Sequence, residues 1–209
     1  MKKNILKNKE VIFIDFDGTI KKSDHIKGKA FVQIFGKKVK NKEKITNHHL
    51  ENLGISRIEK IPIYLVWNNI NNNKKNILKY STKFSKLVIK KIYNSKWVLG
   101  AKKFIQLNQN KKLILITATP KNEIKIILKK LNIINYFYKI YGSPIDKIDV
   151  VKRTLKKLYL KKGKYMYIGN SDSDYLAAKK NNIDYYNVGK LKNIKKKYNK
   201  IKNFKSFNY

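Results

Sequence analysis

Val11-Ile12-Phe13-Ile14-Asp15-Phe16-Asp17-Gly18-Thr19 is the stretch on which the reading of the fold turns. Its first four residues are apolar and rich in β-branched side chains, which predicts a short strand buried on both faces. Two carboxylates follow at once. Their i, i+2 spacing at a strand end puts both side chains on the same side of the chain, and Gly18 permits a tight turn after them. An Asp directly after a buried strand is costly to hide unless it has a task. The same arrangement returns further along. Residues 113–116 form a second apolar strand, ended by Thr117-Ala118-Thr119-Pro120, and residues 165–168 another, ended by Gly169-Asn170-Ser171-Asp172-Ser173-Asp174. Strands are also expected at 136–141 and 184–188. Helices are expected at 99–108, 123–131 and 148–158, with one more through Leu176 and Ala177. Strands alternating with helices predict an α/β fold, a Rossmann-like parallel sheet with helices on both faces. Ligands of such sheets bind at the carboxyl ends of the strands. From about residue 23 to 96 the spacing is helical, with Phe31, Ile34 and Phe35 on one apolar face and Tyr80, Phe84, Leu87 and Val88 on another. The expected division is a core of 1–20 and 97–190, a small helical insertion of 21–96 acting as a lid, and a basic, low-complexity tail of 191–209.

Composition narrows the partners. The chain has 209 residues and a formal net charge of +37, from 50 Lys and Arg against 13 Asp and Glu. Only Arg57 and Arg153 are arginines, and Lys, Asn and Ile together make 103 of the 209 residues. All three have A/T-rich codons, so codon bias accounts for much of the charge. Nucleic-acid recognition favours Arg for bidentate contacts, and two Arg argue against a nucleic-acid partner despite the charge. The 42% hydrophobic content supports a packed core. The absence of Cys excludes disulfides, thiolate metal sites and Cys nucleophiles. Three His (His25, His48, His49) argue against a His-rich zinc site. No apolar run approaches the roughly 18 residues that span a bilayer, so no membrane association is expected and the protein is read as cytoplasmic, a monomer or homodimer.

Four of the 13 acidic residues fall in two pairs, Asp15/Asp17 and Asp172/Asp174, each directly after an expected strand. Carboxylates gathered in this way repel one another unless a cation sits among them. Mg²⁺, a hard ion often shared with a substrate phosphate, is the expected one. The alternative is that these Asp residues cap helices.

Together these segments resemble the haloacid dehalogenase (HAD) superfamily. Phe13–Thr19 is similar to its first motif, hydrophobic-Asp-x-Asp-Gly-Thr/Val. Leu113–Thr117 is similar to the second, a strand ending in Ser or Thr. Gly142-Ser143-Pro144-Ile145-Asp146-Lys147 resembles the region bearing the third-motif Lys. Gly169–Asp174 with Leu176-Ala177-Ala178 resembles the fourth, Gly-Asp-Ser-x-x-Asp-x-x-Ala-Ala. The insertion resembles the helical cap of the phosphoglycolate-phosphatase-like and β-phosphoglucomutase-like subfamily, with Lys22 standing where an Asp is usual.

The resemblance implies a phosphatase working through an aspartyl-phosphate. Asp15 would be the nucleophile, Asp17 the general acid and base, Thr117 a hydrogen-bond donor to the phosphoryl group and Lys147 its neutralising cation. Lys152, one turn on, competes with Lys147 for that role, and the Gly-Ser-Pro lead-in favours Lys147. Gly18, Ala118, Lys27 and Arg57 would contact substrate. Mg²⁺ would be held by Asp15, Asp17, Asn170 and Asp174. Asn170 replaces the usual Asp and brings no charge, which implies weaker Mg²⁺ binding; Asp172 is an extra carboxylate nearby. Arg57 suits either a bidentate grip on an anion or an ion pair with Glu59 or Glu51. His48 and His49 read as ordinary helix residues. The implied substrate is a small phosphorylated metabolite, a sugar or hydroxy-acid monophosphate. The alternatives are a phosphosugar mutase of the same family, or a catalytically weak HAD fold that binds polyanions through a tail with Tyr198, Phe204, Phe207 and Tyr209 interleaved, although packing of those aromatics onto the domain is the preferred reading of the tail.

Overall fold

In the computed structural model, which describes residues 5–189, 191, 194 and 198–207, β1 (Val11–Ile14) lies in the middle of a six-stranded sheet. It pairs in parallel with β2 (Lys112–Pro120) on one side and β4 (Tyr165–Gly169) on the other. With β3 (Lys139–Ser143), β5 (Asp184–Asn187) and β6 (Asn199–Lys200), the order is β3-β2-β1-β4-β5-β6, parallel throughout. The chain winds outward in one direction through β2 and β3, then returns to start β4 on the far side of β1. That reversal is the crevice where ligands of such sheets bind.

Every residue of β1 is buried because both faces of the sheet are covered. Ile12 and Ile14 join Leu113, Leu115, Met166 and Ile168 on one face. Val11 and Phe13 join Ile114, Ile116, Tyr165 and Tyr167 on the other. The first face is covered by α5 (Ala101–Leu107) and α6 (Lys121–Lys130), through Phe104, Ile105, Ile124, Ile127 and Leu128. The second is covered by α7 (Lys147–Leu158) and α8 (Asp172–Lys180), through Val150, Val151, Ala177 and Ala178. Four helices, α1 (Asp24–Gln33), α2 (Lys42–Glu51), α3 (Arg57–Trp67) and α4 (Lys74–Tyr93), lie between β1 and α5. They close around Phe31, whose ring centroid is 4.2 Å from Phe84 and 5.1 Å from Tyr64.

The expected α/β architecture is present, with local departures. β2 runs past its apolar stretch to Pro120, with a register shift against β3 between Thr117 and Pro120. β3 begins at Lys139 because residues 134–136 form a 3₁₀ turn instead. β6 has no apolar pattern to announce it, since both of its residues are exposed. Further along the tail, Phe204 and Phe207 are buried, with ring centroids 4.9 and 5.1 Å from Phe104. Tyr198 lies 6.2 Å from the Tyr175 ring. These aromatics are therefore spent on the domain rather than offered for base stacking; Tyr209 lies outside the described residues. No helix among the described residues is long and apolar enough to cross a membrane.

Truncating a buried aromatic of this kind costs about 3–5 kcal/mol. Phe204→Ala should therefore lower the urea midpoint substantially with an unchanged slope. An unaltered midpoint would mean the tail is not part of the core.

Candidate active site

The carboxyl ends of the strands gather the charged residues. Asp15 follows β1 and is 4% exposed. Asp174 lies in the first turn of α8 and is fully buried. Between them reaches Lys147, the first residue of α7, whose helix is capped by Asp146. Its Nζ is 2.9 Å from Asp15 Oδ1 and 2.7 Å from Asp174 Oδ1. Burial alone would depress the lysine, but the two carboxylates more than offset it and raise its pKa, so it stays charged. Lys152 is exposed. The Asp174 carboxylate is saturated: Tyr167 donates to Oδ1, while the Asn170 and Ser171 amides and the Ser171 hydroxyl donate to Oδ2. Ser171 and Asp174 also form a reciprocal capping box that starts α8. Asp174 thus orders the loop and holds Lys147, rather than presenting a free oxygen to a metal. Asp15 differs, because among the described residues no donor reaches its Oδ2. Burial raises its pKa against the pull of Lys147, and the charges of Asp174 and Asp17 add to the rise.

Asp17 sits in a different environment. Ser23 Oγ donates to its Oδ1 at 2.6 Å, and Thr119 Oγ1 to its Oδ2 at 2.9 Å. Lys27, from α1, lies 2.5 Å from Oδ2. Burial opposes its charge, yet Lys27 and these hydroxyls hold its pKa below the usual carboxylate range. Thr117 is buried and its hydroxyl is 3.5 Å from Asp17 Oδ2. The irregularity in β2 brings Thr119 to the same carboxylate, consistent with the way bulges re-aim side chains beside sites. Sequence reasoning singled out neither Thr119 nor Ser23. A hydroxyl two residues beyond Thr117 carries no marker unless the irregularity is known.

Gly18 makes the next contact possible. Its φ is +73°, and a Cβ there would lie 2.0 Å from Asn170 Nδ2 and 2.2 Å from Asp24 Oδ2. Asn170 accepts from Thr19 Oγ1 at 3.2 Å and donates to Asp24 Oδ2 at 3.1 Å. The carboxylate set against Asn170 is therefore Asp24, from the first turn of α1, which had not been singled out. Burial, and the charge of Asp17, push its pKa up to about 6. No three acidic or His side chains among the described residues converge tightly enough to form a metal site by themselves. Asp15 and Asp24 line the cavity at this corner, and Asn170 borders it, its amide nitrogen on Asp24 and its oxygen accepting from Thr19; all three bear oxygen. They suit a hard cation that completes its shell with main-chain carbonyl, water and phosphate oxygens.

The four-helix insertion forms the roof. Arg57, at the start of α3, is 5% exposed and makes a two-pronged pair with Glu123 of α6, at 2.9 and 2.6 Å, with Ser85 at 2.7 Å. The anion it grips is thus a protein carboxylate, neither Glu59 nor Glu51, and its guanidinium is committed to closing the insertion on the core. Ser56 Oγ meets Ser143 Oγ at 2.7 Å. Gly54, at φ +83°, lies so close to α8 that a Cβ would be 2.2 Å from Ser173 Oγ. Beneath the roof is a cavity of about 30 Å³ whose lining includes Asp15, Asp17, Lys27, Ala118, His49 and Lys60. That is room for a water molecule, so a larger ligand requires the roof to lift. His49 is not an ordinary helix residue. It is 3% exposed, its Nε2 lies 3.1 Å from the Asp24 carbonyl, and its Nδ1 is 3.1 Å from Lys60 Nζ.

Removing one partner of a buried charge pair costs about 3–5 kcal/mol. Lys147→Met, which leaves Asp15 and Asp174 facing each other, should show that loss in urea unfolding. Asp15→Asn should do the opposite. Because the folded state raises the Asp15 pKa, ionising Asp15 costs stability as pH rises above the unfolded-chain value. The variant should gain about 1 kcal/mol at neutral pH, and the gain should shrink towards acid pH, where the carboxyl is protonated in both states. A loss at neutral pH would contradict this electrostatic reading.

Comparison with known proteins identifies the fold and the family. No curated protein sequence matches the chain. Among solved structures, CbbY from Rhodobacter sphaeroides in complex with phosphate superposes with a TM-score of 0.73 at 14% identity, covering 94% of this chain and 95% of that one. A predicted phosphoglycolate phosphatase from Haemophilus somnus gives 0.69 at 13% identity, covering 93% and 95%. A haloacid dehalogenase-like family protein from Streptococcus pneumoniae gives 0.66 at 21% identity, covering 86% and 84%. At these identities the likeness establishes the fold. A family profile described as haloacid dehalogenase-like hydrolase matches residues 11–188, the span that carries Asp15, Asp17, Lys147 and Asp174, and the chain belongs to that family.

Proposed function

We propose that this protein is a Mg²⁺-dependent phosphatase that hydrolyses a small phosphorylated metabolite through an aspartyl-phosphate on Asp15. The observation that carries this reading is the asymmetry of the buried carboxylates. Asp15, which lines the cavity, keeps one oxygen bound to Lys147 and has no donor on the other among the described residues, while Asp17, two residues on, lines the same space. CbbY, of the same fold, was solved with phosphate and, as a mutant, with xylulose-(1,5)bisphosphate, which supports a phosphorylated ligand here.

In the first half-reaction the free oxygen of Asp15 attacks phosphorus. The bond from phosphorus to the ester oxygen breaks, and the protonated Asp17 carboxyl gives its proton to the leaving alkoxide. In the second, the Asp17 carboxylate takes a proton from water as that water attacks phosphorus. The bond from phosphorus to the Asp15 oxygen breaks, inorganic phosphate is released, Asp15 is restored as a carboxylate and Asp17 is left protonated. Lys147 offsets the charge on the phosphoryl oxygens throughout. Lys27 and the two hydroxyls hold Asp17 ionised in the closed form, the state needed for the second half-reaction. Lifting the roof withdraws Lys27, which favours protonation before the first. Asp15, the Asp17 main chain, Asn170 and Asp24 would hold Mg²⁺, which when bound supplies charge neutralisation and orientation of the phosphate. In this reading Asp24 restores the charge lost at Asn170, a role that Asp172 had been expected to fill. The helical insertion is a lid that excludes water.

A screen of phosphorylated metabolites with Mg²⁺ should show phosphate release, and Asp15→Asn should lower it by about 10³-fold or more. Equal release by both proteins would refute the assignment of the nucleophile. Asn170→Asp sets a second carboxylate against Asp24. It should melt at a lower temperature than the parent without Mg²⁺, gain more from added Mg²⁺, and need about tenfold less of the ion for half-maximal activity. Identical Mg²⁺ dependence of both proteins would remove Asn170 from the metal site.

A further inference from the structure

Arg153 is the second of only two arginines among 50 Lys and Arg, and the strand-end site leaves it unused. Where codon bias favours Lys so strongly, a retained Arg points to contacts that need its planar fork. Arg57 has such a contact in its two-pronged pair with Glu123. Arg153 has none within the protein. It is exposed, its Nε donates to the Asp149 main-chain carbonyl at 3.3 Å, and among the described residues no carboxylate lies within salt-bridge reach of it.

Its surroundings follow from its place on α7. Val150, Arg153, Thr154, Lys157 and Leu158 are spaced i, i+3, i+4, i+7 and i+8, so they share one stripe of the helix. β3 is the edge strand of the sheet, and Lys139 and Tyr141 alternate onto one of its faces. Tyr141 packs with the cluster that contains Val150, so that face is the one α7 covers. The stripe, these two strand residues and Tyr138 bound a cavity of about 230 Å³. None of its lining residues lines the space around Asp15. Thr154 is seven residues from Lys147, about 10 Å along the helix axis.

The lining divides by chemistry. Tyr138, Tyr141, Val150 and Leu158 supply aromatic and apolar walls, Lys139, Arg153 and Lys157 supply three cations, and no carboxylate is present. Thr154 is 6% exposed, and its hydroxyl has no hydrogen-bond partner among the described residues. A nearly buried polar group left in that state is costly, and a polar ligand in the cavity offsets the cost. Cations beside aromatic walls select an anion carried on a flat apolar body. The guanidinium fork fits a carboxylate or a phosphorus oxyanion, and the tyrosines favour a ring. The volume falls below the roughly 300–1,000 Å³ of sites for drug-sized ligands, which limits the body to about one ring.

We propose that the cavity between β3 and α7 is a second ligand site, separate from the strand ends, that binds a small aromatic acid with Arg153 on the acid group and the ring against the tyrosine and leucine walls.

Amide ¹H–¹⁵N correlation spectra recorded during titration test this, at about 150 mM salt to screen loose attraction to the basic surface. Benzoate and phenylphosphonate are the probes. Benzamide keeps the ring without the charge, and acetate keeps the charge without the ring. At least one aromatic acid should shift amides within 138–141 and 150–158, and the tighter of the two identifies the acid group. Benzamide and acetate should bind about tenfold more weakly or not at all. Arg153→Gln should weaken the aromatic acid about tenfold, and Arg153→Lys should retain part of the affinity. Thr154→Val, close to the same shape without the hydroxyl, should also weaken it. Lys152→Gln removes the same charge from an exposed position off the stripe and should leave binding unchanged. Arg153 is exposed, so its variants are expected to fold. No shifts in those segments, shifts confined to amides around Asp15 and Thr117, an equal response to benzamide or acetate, or equal losses in Arg153→Gln and Lys152→Gln would each overturn the proposal. The outcome does not depend on whether the protein releases phosphate from any ester.

Discussion

The buried bridge from Asp15 through Lys147 to Asp174 is the contact on which the rest of the site depends. It joins the end of β1, the start of α7 and the first turn of α8. Three segments far apart in sequence are held in one arrangement by a single ammonium. Charges so deep are tolerated only when each has a partner and its remaining valences are filled. Asp174 meets that condition fully, with five donors. Asp15 meets it by half, with Lys147 on one oxygen and no donor among the described residues on the other. Burying that half-satisfied carboxylate costs stability, which the apolar packing on both faces of the sheet offsets, and removing its charge should stabilise the protein.

The charge of the whole chain is of a different kind. Among the described residues, only Lys9, Lys21, Lys60 and Lys147 of the lysines are buried. Lys27 is nearly enclosed against Asp17, and most of the others make a solvated surface consistent with codon bias, able to draw anions towards the protein without recognising them. The few cations that the fold encloses have defined surroundings. Of these, Lys9 is paired with Asp184 and Lys21 lies over the Trp97 ring and donates to the Tyr93 carbonyl. Lys147 bridges Asp15 and Asp174, and Lys60 lies in the roof against His49.

Much of this was legible from residues 11–19 and the strand ends that follow them. The fold could be read because apolar β-branched runs ending in polar clusters report a buried parallel strand directly, and Lys147 could be favoured over Lys152 from its Gly-Ser-Pro lead-in. What could not be read depends on how the insertion sits on the core. Arg57 was open between a ligand and a protein partner, and its partner Glu123 is 66 residues away in sequence. His49 looked like one more helix residue, because nothing local shows that its face of α2 closes over Asp24. Asp24 itself was hidden beside Lys22 and Ser23, since only the turn at Gly18 brings it to Asn170. The aromatics of the tail gave the opposite lesson. Interleaved with lysines they allowed stacking on a polyanion or, as preferred, packing onto the domain, and Phe204 and Phe207 do fill the space over Phe104.

The account stands or falls on covalent chemistry at one atom of one residue. Rapid quenching of the enzyme during turnover of a substrate ester, followed by borohydride reduction, converts an aspartyl-phosphate to homoserine at the residue that carried it. Peptide mass spectrometry should find homoserine at position 15 in the substrate-treated protein alone. Homoserine at another position, or steady phosphate release with residue 15 recovered as aspartate at every time sampled, would contradict the assignment of Asp15 as the nucleophile.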